Sequence, residues 1–120
     1  MPHVIVNHSA NIADLDSKQL LQQVNTALVA TDLFVAHDIK ARIFKDDVFL
    51  IGLNDIDEAY IHVKLYLLSG RTDAQKQAAG QALLKVLERK DYLKSEQKCP
   101  IQLCVEVIDM PKEYYFKATI

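Results

Sequence analysis

Along the chain the hydrophobic positions switch between strand spacing and helix spacing, and they do so in the same order in each half. The first segment, His3-Val4-Ile5-Val6-Asn7, is a short β-branched run with no helix signal and reads as a strand. Asp14-Leu15-Asp16-Ser17 then supplies capping residues. Leu20, Leu21, Val24, Ala27, Leu28 and Thr31 follow at helical spacing, which predicts a helix over about Lys18 to Ala30. Ile39 to Phe44 alternates, with Ile39, Ala41 and Ile43 on one face and Lys40 and Arg42 on the other.

The second half repeats the pattern. A short strand is expected around Val48 to Ile51, followed by a polar connection over Asn54 to Glu58. Tyr60 to Leu68 is a long strand, with Ile61, Val63, Leu65 and Leu67 opposite Tyr60, His62, Lys64 and Tyr66. Gly70 breaks it, and Thr72-Asp73-Ala74-Gln75 fits a capping box in which Thr72 and Gln75 satisfy orphan amides reciprocally. A helix to about Tyr92 follows, with Ala79, Leu83, Val86 and Leu87 as its apolar stripe. Beyond Pro100, Ile101 to Ile108 alternates as a last strand.

Two β-α-β units with right-handed crossovers imply an α+β, two-layer fold, in which a four-stranded mixed sheet carries both helices on one face. The other face is left open. With Ile, Val, Tyr and Leu expected on it, a homo-oligomer is the natural cover. At 120 residues the chain, 1–120, reads as a single domain.

Composition narrows the function classes. A net charge of −2 and no Lys/Arg-rich run give no footprint for nucleic acid. No apolar stretch is long enough to span a membrane, and the N-terminus lacks the basic and apolar regions of a signal peptide, so a cytoplasmic location is expected. Cys99 and Cys104 form no disulfide framework and no CxxC, and no histidine spacing completes a metal site. Both read as reduced structural residues, and neither a metal nor a cofactor is implied.

The candidate chemistry lies at the start. Pro2 stands directly behind Met1, and a proline-first N-terminus is one from which the initiator is normally trimmed. Its nitrogen would then be a free secondary amine. An α-amino group titrates near 7.7–8.0, far below lysine, and burial or a neighbouring cation lowers it further. Such an amine suits a general base working near neutrality. Many chains also begin Met-Pro without chemical purpose.

The opening Met1-Pro2-His3-Val4-Ile5-Val6 resembles the start of tautomerase-superfamily proteins. The resemblance extends, within one branch, to the carboxymethyl-hydroxymuconate isomerases of aromatic catabolism. Ala10-Asn11-Ile12, Val24-Asn25 with Leu28 and Ala30-Thr31, Ile39-Lys40-Ala41-Arg42 and Tyr60-Ile61-His62-Val63 carry it. So do Ser69-Gly70-Arg71, Ala79-Gly80, and Glu106 followed by Phe116-Lys117, all in the family's order. The resemblance implies a cofactor-free isomerase assembled as a homotrimer, with Pro2 moving a proton in a small unsaturated polycarboxylate. The implied reaction turns a 2-hydroxy-diene from homoprotocatechuate ring cleavage into its 2-oxo-3-ene isomer.

Such a substrate needs cations for its carboxylates and for the charge developing on the 2-oxygen. Arg71 follows the long strand and matches the family's Gly-Arg; a guanidinium can grip a carboxylate with two parallel bonds. A surface arginine capping a loop is the plain alternative. Arg42 matches a family arginine, or else sits on a solvated strand face with Lys40. Lys40 departs from the family pattern, which has another arginine there, and a lysine lacks the bidentate fork. His62 could donate a proton but sits on a strand face where a packed histidine is commoner, and His3, His8 and His37 show no metal spacing. Tyr114-Tyr115-Phe116 either covers a neighbouring subunit's pocket or anchors the C-terminus by hydrophobic contact. Two other functions remain open at this level. One is a different tautomerase activity, such as keto-enol tautomerisation of phenylpyruvate-type substrates. The other is a non-catalytic trimeric binding protein.

Overall fold

The structure is a computed structural model that describes residues 1–54 and 57–120. Four strands, β1 (His3–Ser9), β2 (Lys40–Asp46), β3 (Ala59–Leu68) and β4 (Ile101–Met110), form one sheet in the order β2-β1-β3-β4. β1 pairs in parallel with β2, antiparallel with β3, and β3 pairs in parallel with β4. Helices α1 (Ser17–Ala30) and α2 (Asp73–Arg89) make the two crossovers. The α+β, two-layer arrangement read from the sequence is therefore the observed one.

Alternation along the strands decides what the helices cover. Val4 and Val6 of β1 and Ile61, Val63, Leu65 and Leu67 of β3 turn to the helix layer and are buried. They meet Leu20, Val24 and Leu28 of α1 and Ala79, Leu83, Val86 and Leu87 of α2. Each such valine, leucine or isoleucine side chain contributes about 1.5–3 kcal/mol by leaving water. Both helices start on the caps the sequence supplies. The Gln19 N–H donates to the Asp16 side chain at 3.0 Å, and Thr72 and Gln75 form the reciprocal box. Each cap is worth ~1 kcal/mol.

Three expectations need correction. Val48 to Ile51 is not a strand: the chain leaves the sheet after Asp46 and no neighbouring strand pairs the segment. Val48 is 98 % and Leu53 92 % exposed, so the β-branched and aliphatic residues there lack a surface to cover. The second helix stops at Arg89, where Lys90 turns left-handed at φ 64°. Tyr92 lies beyond that cap, fully buried, and its hydroxyl donates to the Leu87 carbonyl at 2.8 Å. Finally, the open sheet face is more polar than expected. The valines of the strands, and every leucine but Leu68, face the helices, which leaves Ile5, Phe44, Tyr60, Tyr66, Leu68 and Ile108 interleaved with His62, Lys64 and Glu106. Part of the polar connection read over Asn54 to Glu58 lies outside the described residues.

Candidate active site

The sheet's topology gathers the chemistry at one end. Because β1 and β3 run antiparallel, the start of β1 lies beside the end of β3, with His3 opposite Tyr66. β2 runs parallel to β1, so it begins at the same end; Lys40 is opposite His3 and its N–H donates to the Pro2 carbonyl at 3.1 Å. β4 finishes beside β3, with Met110 opposite Leu68, and releases the C-terminal tail there. Pro2, Lys40, the Gly70-Arg71 turn and the tail thus converge without any of them being neighbours in sequence. Gly70 makes the turn possible: its φ is 113°, and a Cβ would stand 3.0 Å from the Lys112 Nζ.

Pro2 is buried at the head of β1. The chain's α-amino group, here on Met1, has its pKa lowered from the ordinary 8.0, first by burial. Asp38 pulls the other way, while Arg71, Lys117 and Lys40 add to the lowering. The N-terminus therefore lies among three cations, relieved by one carboxylate.

Arg71 is held from outside its own turn. Its Nη2 donates to the Leu33 carbonyl at 2.7 Å, and its guanidinium lies 4.9 Å above the Phe34 ring. A guanidinium has five N–H donors, so anchoring at one corner leaves a fork for a carboxylate. Lys40 reaches back to the turn before its strand, donating to the His37 and Asp38 carbonyls at 3.1 and 3.2 Å. An ammonium has three donors, so one remains for a substrate oxygen. The Lys117 Nζ lies 3.4 Å from the Met1 Sδ, which brings a third cation to the N-terminus.

Arg42 is placed differently. It projects from β2 onto the open face and is not among the charges acting on the α-amino group. Its Nη1 lies 3.3 Å from the His3 Nδ1, and the His3 Nε2 lies 2.9 Å from the Tyr115 hydroxyl. The structure brings Pro2, Arg71 and Lys40 together directly, and joins Arg42 to them only through the residue after Pro2.

His62 lies elsewhere. It is opposite Asn7, four residues along β1 from His3 and so ~13 Å away, and it pairs with Glu106 at 2.9 Å. His8 faces the helix layer with Nδ1 3.0 Å from the Ser9 carbonyl, and His37 is exposed. Among the described residues no cluster of three or more His, Cys, Asp or Glu is placed to hold a metal ion. Cys99 and Cys104 are free thiols, and Cys99 falls just before β4.

The sequence reading gives Asp38, Lys117 and His3 no part in the chemistry, and gives Tyr115 only a part in covering a pocket or anchoring the tail. His3 stood next to Pro2 and had a local signal. The other three reach the site through the tail and the turn before β2, which only the folded chain brings to β1.

Comparison with known proteins bears on this geometry. The family model described as 5-carboxymethyl-2-hydroxymuconate isomerase matches residues 2–119. The chain is 33 % identical over 89 residues to the 5-carboxymethyl-2-hydroxymuconate Delta-isomerase of Escherichia coli, covering 73 % of this chain and 71 % of that one. Its fold matches that of a 5-carboxymethyl-2-hydroxymuconate isomerase from Deinococcus radiodurans R1 with a TM-score of 0.85 at 24 % identity, over 99 % of this chain and 90 % of that one. A fused 4-OT protein described as a symmetric trimer shares the fold at a TM-score of 0.70 and 22 % identity, over 92 % and 87 % of the two chains. No helix is long and apolar enough to cross a membrane. A match that begins at the buried proline and runs on past the tail residues around it leaves no other assignment: the chain belongs to the 5-carboxymethyl-2-hydroxymuconate isomerase family and is an isomerase.

Proposed function

We propose that Pro2, freed of Met1, is the general base and acid of a cofactor-independent isomerisation of 5-carboxymethyl-2-hydroxymuconate in homoprotocatechuate breakdown. The neutral amine takes the proton of the substrate's 2-hydroxyl. The electron pair moves through the diene, and the resulting ammonium returns a proton to its far carbon, giving the 2-oxo-3-ene isomer. No proton is gained or lost overall, so one group serves as both base and acid. Arg71 takes a substrate carboxylate through its fork, Lys40 faces the oxygen on which charge develops, and Arg42 takes a carboxylate on the open-face side.

One observation carries this function: Pro2 is buried, and the α-amino group beside it feels the charges of Arg71, Lys117 and Lys40, cations that would depress the pKa of a Pro2 amine and suit a polyanion. The active form is a homotrimer. An uncovered sheet face, the exposed Val48 and Leu53, and the trimeric form of the fused 4-OT relative support that assembly. A cytoplasmic location fits two free thiols.

Turnover of the muconate, followed by its ultraviolet absorbance, tests the proposal. Pro2→Ala should cost on the order of 10²–10⁴ in kcat while the fold survives. The base must be neutral, so activity rises as pH climbs through the amine's pKa. The α-amino group on Met1 is lowered from 8.0 by burial and by Arg71, Lys117 and Lys40; a Pro2 amine beside the same cations should be lowered likewise, which puts the midpoint of the rising limb of kcat/KM below pH 8. A Pro2→Ala protein with full activity would move the base elsewhere.

A further inference from the structure

The residue after Pro2 is held from two sides. Arg42 can only donate hydrogen bonds, so the His3 Nδ1, 3.3 Å from the Arg42 Nη1, must accept. A neutral imidazole then carries its proton on Nε2, and that N–H donates to the Tyr115 hydroxyl at 2.9 Å. The reverse assignment, with Tyr115 donating to Nε2 and Arg42 to Nδ1, would strip the ring of both protons. The two rings meet edge-on, with centroids 5.9 Å apart at 61°. The tail thus clamps His3 against β1, and His3 in turn holds Arg42.

We propose that His3 is a positioning residue that aims Arg42 at the substrate's carboxylate, and that it does so only as the neutral, Nε2-protonated imidazole. This deepens the isomerase function proposed above and rests on it.

The chemistry of the contact makes it a switch. A doubly protonated ring has two donors and no acceptor, so protonation turns the Arg42 contact into donor against donor and cation against cation. The groups facing His3 are Lys40 and Arg42 from β2, Tyr66 and, on the diagonal, Lys64 from β3, Tyr115 from the tail, and the α-amino group. Burial, then Arg42, Lys40 and the α-amino group, hold the imidazole below its ordinary pKa, so the neutral form prevails at neutral pH. Acid releases Arg42 and weakens the clamp, an effect on substrate binding that adds to the protonation of the proton-transferring amine.

The test compares wild type, His3→Ala, His3→Asn, Arg42→Ala and the double variant across pH, with Pro2→Ala in parallel. His3→Ala should raise KM about tenfold with kcat little changed, as expected for a lost ground-state contact. Adding it to Arg42→Ala should cost almost nothing more, since both remove one contact. Asparagine presents an oxygen near the place of Nδ1 and does not titrate. His3→Asn should therefore restore most of the KM and abolish its rise on the acid side of the histidine range. Imidazole nitrogen shifts of the unliganded protein should show His3 protonated at Nε2, and Arg42→Ala should raise its pKa.

Unchanged KM in His3→Ala, fully additive effects with Arg42→Ala, a KM that still rises on the acid side of the histidine range in His3→Asn, or a proton on Nδ1 would each overturn the proposal. If Pro2→Ala abolishes kcat while His3→Ala leaves KM alone, only the role of His3 fails. If wild type does not turn over the muconate, or Pro2→Ala is fully active, the underlying function fails and this role with it.

Discussion

At the scale of single residues, the site is a set of short side-chain commitments that leave part of each cation free. Arg71 spends one donor on the Leu33 carbonyl and its face on Phe34. Its removal should therefore act twice. Arg71→Ala should raise KM about tenfold or more, through the lost carboxylate clamp. It should also loosen the Leu33-Phe34 turn, visible as faster amide exchange there. Arg71→Lys keeps the charge but not the fork or the stacked plane, and should recover only part of the KM. Wild-type KM in Arg71→Ala would remove it from the site. At this scale Pro2 and Arg71 could be singled out because each is conspicuous in the sequence, one by its place behind Met1 and the other by its position after Ser69-Gly70, and the fold places both at the same end of the sheet. Lys117 could not, since nothing local ties a tail lysine to the first residues. Arg42 was half legible, as its face followed from alternation but its contact with His3 depends on the strand register.

At the scale of elements, periodicity was sufficient wherever a segment found its partner within the chain. β1, α1, β2, β3, α2 and β4 all lie where the alternation and helical spacing put them, within a few residues. The exception is instructive. Val48 to Ile51 has strand composition and no strand to pair with, and the backbone of an isolated strand has no ladder to form. Composition reports what a segment can pair with, and pairing needs a partner. The same segment exposes Val48 and Leu50, at 98 % and 61 %. If it docks on a second copy, Val48→Asp with Leu50→Asp should shift the protein from trimer to monomer in light scattering, with helix content retained by circular dichroism. A trimer that persists in the double variant would place the interface elsewhere.

At the scale of the whole molecule, the topology explains why the candidate site residues meet at one end. An antiparallel centre flanked by parallel pairs puts the head of β1, the tail of β3, the head of β2 and the tail of β4 on one edge. Any chain with this order gathers its N-terminus, its second β-α turn and its C-terminal segment in one place. The strand order did not follow from the sequence pattern, which yields β-α-β units but not how two of them join. That join decides the site. With β1 and β3 as neighbours, the Gly70-Arg71 turn lies at the N-terminal end of β1, and Arg71 acts on the N-terminus; with the units joined through β2 or β4, the same residues would sit apart. The opposite end of the sheet has its own fastening, in which Asp46 accepts from the Tyr60 hydroxyl and from Asn7. That network keeps the start of β3 beside the end of β2, across β1, and fixes the register on which the active end depends.

The central claim is that a free prolyl amine does the chemistry. The most direct test compares the protein with Met1 removed, verified by N-terminal mass, against protein in which Met1 is retained. Both are assayed for isomerisation of 5-carboxymethyl-2-hydroxymuconate. Retention of Met1 makes the Pro2 nitrogen an amide with no useful basicity while leaving the fold and its cations in place. Turnover by the trimmed protein and near-complete loss in the Met1-bearing one is the predicted result. Equal turnover by both would contradict the account, because the base would then be a group other than Pro2.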